Sequence, residues 1–210
     1  MHLPFTTEQF FEVFRQYNIG VWPVQVLLII LGVAAFIAVM LRRSWSGIAV
    51  SFILALLWMW LAVAYHFAYF AAINPLAYVF GVVSLAGAAA LIRGGVVQRR
   101  LTFSIARDAR SVAGVLLVAF ALIAYPAWSW LAGHRYPAMP TFGLPCPTTI
   151  FTIGMLSFLV APYPRSVLVV PVAWSFVGAQ AAFLLSVSQD LALVVAGAVG
   201  LVLMVRAKPS

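Results

Sequence analysis

The sequence predicts an all-α membrane protein: seven transmembrane helices, N-terminus outside and C-terminus cytoplasmic, preceded by a short interfacial helix. Three observations carry this. Of 210 residues, 65% are hydrophobic and 8% charged, whereas about a quarter of the residues of soluble domains are charged. The apolar stretches are continuous over roughly the 20 residues a bilayer needs and do not alternate, which selects helices over barrel strands. The basic residues behind the net charge of +8 fall between those stretches and form no separate face, so they read as topology signals and not as a nucleic-acid surface. The expected organisation is an interfacial helix over 1–18, a membrane domain over 19–206 and a tail over 207–210.

Residues 1–18 carry Glu8 and Glu12 where a cleaved leader would carry positive charge, and they read as retained. Thr6 and Gln9 form a capping box, and Phe10, Val13, Phe14 and Tyr17 share one helical face, which suits a helix lying in the interface. Span one runs from Trp22, a membrane-belt residue, to Leu41, with Arg42 and Arg43 at the far surface. Span two begins near Ser46 and reaches Tyr65 and His66 at the opposite surface; residues 67–75 form an uncharged turn or helix extension ending at Asn74-Pro75. Span three covers Pro75 to Ile92. Residues 93–110, with five arginines against Asp108, read as a solvated loop. Span four, Ser111 to Gly133, contains Pro126 and should kink there. After a short span five come the turn 161–165, span six from Ser166 to Ser186 around Pro171, and span seven from Leu191 to Val205. With the N-terminus outside, ten of the twelve basic residues lie in cytoplasmic connections, and only Arg15 and Arg135 lie outside.

Span five is the anomaly. From Thr148 to Ala161 a helix would rise only about 21 Å, short of a ~30 Å hydrocarbon core. Residues 142–147 should therefore enter as irregular backbone, which a membrane tolerates only where it lines a cavity or is buried in protein. In this reading Pro147 is the first helical residue, Cys146 is the cap, and the free N–H groups of Thr148 and Thr149 face a ligand. The remaining polar residues gather in the outer half. Polar groups in hydrocarbon are costly and tend to face a cavity, so the candidate site is an outward vestibule lined by Cys146, Thr148, His66 and Asn74, framed by Pro145 and Pro147 and walled by Trp22 and Gln25. Gln180 lies at the same level.

Several sharper chemistries are excluded, while metal binding stays an alternative. The single lysine, Lys208, is in the tail, so no span can form a retinal Schiff base. No HExxH or GxSxG is present, and no span carries an acid at its middle, which argues against carboxylate-coupled pumping. Cys146, His66 and His134 follow no metal-ligand spacing, and a single cysteine makes no internal disulfide. The cofactor, if one is used, is unknown from the sequence. The site suits binding or passage of a small solute; the alternatives are a thiol-based enzyme or soft-metal binder using Cys146 and His66, and a structural or sensory subunit.

The stretches PFTTEQFFEVFRQYN, Trp22-Pro23, YHFAYFAAINP (65–75) and FGLPCPTTIFTIG (142–154) resemble a family of small bacterial integral membrane proteins catalogued as a domain of unknown function, some of whose members are labelled permeases. The resemblance covers nearly the whole chain and implies a multi-pass protein of the bacterial inner membrane. Matching prolines at the starts of spans one and five, Pro23 and Pro147, also give an architectural similarity to sugar transporters built as three plus one plus three helices.

Overall fold

The computed structural model of the chain describes residues 4–185 and 187–207. Residues 1–3, Ser186 at the expected end of span six, and 208–210 with Lys208 lie outside the described residues. Within them, regular structure is helical throughout, with only isolated bridges between Phe103 and Leu159 and between Phe142 and Leu144.

Helix α1, Thr7–Gly20, begins at the expected capping box: the Thr6 side chain accepts from the Gln9 N–H, and the Gln9 side chain accepts from the Thr6 N–H. Its apolar face, Phe10, Val13, Phe14 and Tyr17, is buried, while Glu12 and Arg15 pair at 2.6 Å on the outer face. Helix α2 is Val24–Leu41; α3, Ser46–Trp60, continues through a π turn, Leu61–Phe67; α4, Ala77–Leu91, continues through a second, Ile92–Val97. Helices α5, Ala109–Ala119, and α6, Tyr125–Leu131, form one rod joined by a third π turn, Phe120–Ala124. That turn stands just before Pro126, which has no N–H to give the preceding turn. Helix α7 is Pro145–Leu156, α8 is Ser166–Gly178, α9 is Gln180–Leu184 and α10 is Ala192–Arg206.

Six helical stretches are long and apolar enough to cross a membrane: Val24–Leu41, Ser46–Ala72, Ala77–Val97, Ala109–Leu131, Ser166–Leu184 and Ser188–Arg206, with mean hydropathies from 1.8 to 2.9. The expected fifth span differs in kind. The 12 residues of α7 rise only about 18 Å, and every one except Cys146 is buried. It is the axis of the bundle, packed against α5, α8, α10 and α3. The amino-acid content explains the placement. Thr148, Thr149, Thr152 and Ser157 would be costly against lipid; inside the bundle the Thr152 hydroxyl bonds the Thr148 carbonyl at 2.7 Å and accepts the Trp58 indole N–H at 3.1 Å. Gly154 lets α5 approach, since a Cβ there would lie 3.0 Å from Val118 N and from the Leu117 Cβ.

Irregular backbone flanks α7 at both ends. At the arginine-rich end, Ser104 N–H bonds Phe158 O and Val160 N–H bonds Thr102 O, each at 2.8 Å. This corrects the solvated-loop expectation for 93–110. Residues 92–97 extend a helix, and Leu101 and Phe103 are buried. Apolar side chains on alternate residues pin this segment to the bundle while its arginines face outward, a two-residue period that the charge count concealed.

At the other end, α1 fixes the approach to α7. Asn18, fully buried, donates its amide N–H groups to Pro137 O at 2.6 Å and Met139 O at 2.8 Å. Its side-chain oxygen accepts from Thr141 Oγ1 at 2.7 Å and Gln25 Nε2 at 3.2 Å. The Tyr17 hydroxyl donates to Gly143 O at 3.2 Å and accepts the Trp60 indole N–H at 2.7 Å. Burial pushes the Tyr17 phenol above its ordinary value, and the Trp60 bond offsets this in part. Gly143 has φ +98°, which a residue with a Cβ rarely adopts.

Candidate functional site

A cavity of about 330 Å³ lies at the α1 end of the bundle, between α1, the π turn of α3, α4, α6, the start of α7 and α8–α9. Its walls are mostly aromatic: Phe10 and Phe14 from α1, Tyr65 and Phe70 after α3, Phe80 from α4 and Trp174 from α8. Exposed residues at its rim, Leu76, Val177, Gln180 and Leu184, open it toward the outer surface of the helices.

Two polar centres face this apolar space. On one side Asp190, 1% exposed, accepts the Tyr125 hydroxyl at 2.5 Å, and the Cys146 thiol lies beside the same carboxylate. A 3-10 turn, Ser188–Leu191, folds the chain inward before α10, and the Gln189 amide N–H holds that turn to Ser129 Oγ at 2.8 Å. On the other side His66, 1% exposed, has both ring nitrogens without a partner among the described residues. Its ring sits 5.1 Å from Trp174, 5.3 Å from Tyr65 and 5.9 Å from Phe80. The Trp174 indole N–H is likewise unpartnered. Buried polar groups usually find a partner, so these two rings offer the cavity hydrogen-bonding capacity that the described residues leave unused.

The start of α7 corrects the sequence reading. The N-cap is Leu144, with extended φ −92° and ψ 160°, and the helix begins at Pro145; Cys146 is the second helical residue and not the cap. Proline fits the first turn because its φ is preset and the N–H it lacks would be orphaned anyway. The Thr148 N–H, expected to be free, bonds Leu144 O at 3.2 Å. With Pro145 and Pro147 lacking N–H groups, the first three residues of α7 present a single amide donor, that of Cys146. This helix start is therefore poorly equipped as an anion cradle, which needs several free N–H groups.

Of the sequence-derived site residues, Cys146, Pro145, Pro147, His66 and Asn74 meet at the cavity. Asn74 also caps the turn into α4, accepting the Leu76 N–H at 3.1 Å. Thr148 is buried beside the cavity but does not line it, and its hydroxyl has no partner. Gln25 and Trp22 belong elsewhere: Gln25 Nε2 donates to Asn18 O at 2.9 Å, and Trp22 is 60% exposed, edge-on to Tyr136. His134 stacks on Phe11 at 4.3 Å, away from the cavity. Sequence reasoning missed Asp190, Tyr125 and Trp174. The available signal was Asp190 itself, one of only four acids in the chain, standing where a span begins.

No group of three His, Cys, Asp or Glu side chains converges to hold a metal among the described residues. No lysine or arginine lines the cavity among them either, so the Asp190 carboxylate has no cationic neighbour there. What the arrangement offers is hydrogen-bond acceptance at one wall, an aromatic surface able to face a cation, and an imidazole free at both nitrogens.

Comparison with curated proteins and with solved structures finds no match. The motif resemblance and the multi-pass helical architecture agree with the family comparison, which matches residues 7–209, and the chain belongs to that family, described as a family of unknown function (DUF6064).

Proposed function

We propose that this protein binds, and passes across its membrane, a small amphiphilic solute with an apolar body and a cationic or hydrogen-bond-donating group, held in the α1-end cavity. One observation carries the reading: a buried carboxylate without a cationic neighbour, Asp190, shares an aromatic-walled cavity with an unpartnered histidine, His66. The cavity's volume of about 330 Å³ falls at the small end of ligand sites. In this reading Asp190, Tyr125 and Cys146 take the polar group, Trp174, Phe80 and Tyr65 take the body, and His66 and Asn74 complete the lining. Pro145 and Pro147 fix the Cys146 backbone, while Thr148, Gln25 and Trp22 support the surrounding structure.

The orientation in this proposal follows the basic residues: the α1 end faces outward and the arginine end faces the cytoplasm of a bacterial inner membrane. Helix α7 with its flanking irregular segments is then the seventh crossing. Its tight packing below Cys146 closes the inner side, so the conformation is that of a carrier open to one side.

The test is ligand-induced stabilisation of the purified protein in nanodiscs, using tetrapropylammonium and hexylamine against hexanoate of matching size. At ten times Kd a ligand adds about 1.4 kcal/mol, a melting shift of about 3–5 °C for a chain of this length. The cations should give that shift in wild type and lose it in Asp190→Asn. Equal shifts with hexanoate, or an undiminished response in the variant, would refute the reading. Flux of the bound cation in proteoliposomes then separates passage from binding.

A further inference from the structure

A second concavity, of about 460 Å³, lies at the opposite end of the molecule. It is formed by the turn between α2 and α3, the first turn of α3, Gly95 in the π turn after α4, and residues 99–104. Arg42, Arg43 and Arg99 line it together with the hydroxyl residues Ser46, Thr102 and Ser104.

Among the described residues these guanidiniums have no carboxylate partner. The chain has four acids. Glu8 and Glu12 are on α1, and Asp190 is in the other cavity. Asp108 caps α5 and lies 3.6 Å from Arg110. The ion pairs among the described residues are Glu12–Arg15 and Asp108–Arg110. Concentrated positive charge in a concave site is an arrangement that favours an anion.

The backbone explains why these arginines meet. Arg42 and Arg99, at φ 50° and 53°, are the two non-glycine residues with positive φ among those described, and both border this one site. Both end helices: Arg42 is the left-handed cap of α2, and Arg99 follows the π turn Ile92–Val97, with Arg100 N–H bonded back to Gly94 O at 2.8 Å, so two helix ends carry their arginines to this one site. Arg42 is tethered by a hydrogen bond from Nη2 to Ile105 O, so one guanidinium is held at the rim. Just outside are Met40, Leu41 and Trp45, all exposed apolar residues.

We propose that this pocket binds a phosphate group, presented either as the headgroup of an anionic phospholipid or as a soluble phosphate. Guanidinium forks bind phosphate oxygens through paired charge-assisted hydrogen bonds, and the hydroxyls supply further donors. For the lipid source, the exposed apolar rim gives an acyl chain a place to lie. The site is independent of the α1-end cavity, at the other end of the bundle.

The experiment uses the full chain in phosphatidylcholine nanodiscs, with dioleoyl phosphatidylglycerol in one arm and inorganic phosphate or glycerol 3-phosphate in the other. Binding is read by native mass spectrometry and by melting shift. The triple variant Arg42→Gln/Arg43→Gln/Arg99→Gln is compared with Arg93→Gln/Arg107→Gln/Arg165→Gln, which removes the same charge from exposed positions outside the pocket. Wild type and the control triple should bind, with the pocket triple weakened at least tenfold. Single variants Arg42→Gln and Arg99→Gln, each milder for folding, should weaken binding severalfold. Response in the phosphatidylglycerol arm alone assigns the lipid source, and response to the soluble anions assigns the other. Equal weakening by the two triples would show general charge attraction and overturn the site, as would absence of binding in both arms.

Discussion

Replacing Asn18 by alanine should destabilise the protein more than any other single polar truncation on α1. The side chain makes two short bonds to the carbonyls of Pro137 and Met139, and its oxygen accepts from Thr141 and Gln25. Each intramolecular hydrogen bond contributes about 1 kcal/mol net, and a buried partner left unsatisfied costs about 1–3 kcal/mol. The Thr141 hydroxyl can rotate to a new partner and Gln25 keeps its bond to the Asn18 carbonyl, so the loss falls on the two loop carbonyls. About 3 kcal/mol follows, or roughly 6–12 °C of melting temperature for a chain of this size. Asn18→Asp should be worse, since it turns two donors into a carboxylate facing carbonyl oxygens. The assay is thermal unfolding in nanodiscs, followed by intrinsic tryptophan fluorescence, with Thr141→Ala as a one-bond comparison at about 1 kcal/mol and Gln25→Ala, which loses two bonds to Asn18, at about 2 kcal/mol. An Asn18→Ala shift no larger than that of Gln25→Ala would refute the claim that this residue anchors the approach to α7.

Three further outcomes follow from other parts of the molecule. Gly154→Ala should cost about 1–3 kcal/mol by forcing α5 away from α7, because its Cβ would meet the Val118 backbone nitrogen at 3.0 Å; unaltered melting would contradict the close packing. Tyr125→Phe, which strands the Asp190 oxygen bonded at 2.5 Å, should destabilise by about 1–3 kcal/mol, and pairing it with Asp190→Asn should recover part of that loss in a double-mutant cycle. The backbone and side chain of Ser111 hold the Asp108 carboxyl below its usual range. A carboxylate depressed in the folded state adds stability above its unfolded pKa and loses it as pH falls through the folded value. The melting difference between wild type and Asp108→Asn should therefore favour wild type near neutrality and shrink below about pH 4; a difference independent of pH would refute the assignment.

Much of this architecture was legible in the residues themselves. The Thr6–Gln9 capping box, the buried face Phe10–Tyr17 and the arginine turns each report a local rule, and local rules read directly from sequence. The shortness of the segment after Cys146 was also legible, because helix rise and bilayer thickness fix what 14 residues can do. What escaped was azimuth. Gln25 and Trp22 stand at the expected end of the bundle, but depth along a span does not say which way a side chain turns, and they face Asn18 and the exterior. Asp190 was read as part of a connection because it precedes the apolar run of α10; its burial depends on a 3-10 turn and a bond to Tyr125 65 residues away. At the start of α7 two prolines compete for the first helical position; the sequence reading takes Pro147, and the helix begins at Pro145.

The most direct measurement of the central claim uses the single cysteine. Cys146 is half-buried beside Asp190 on the cavity wall. Asp190 is the one acid on the cavity wall among the described residues, and a carboxylate there attracts cations and repels anions, so small cationic thiol reagents should be favoured over anionic ones. Methanethiosulfonate ethylammonium and its ethylsulfonate counterpart, applied to oriented vesicles, should label Cys146 from the α1 side, the cationic reagent at least tenfold faster, with the preference abolished in Asp190→Asn. Equal rates for the two reagents, or no labelling of the folded protein when the unfolded protein labels fully, would contradict a cavity that selects cations.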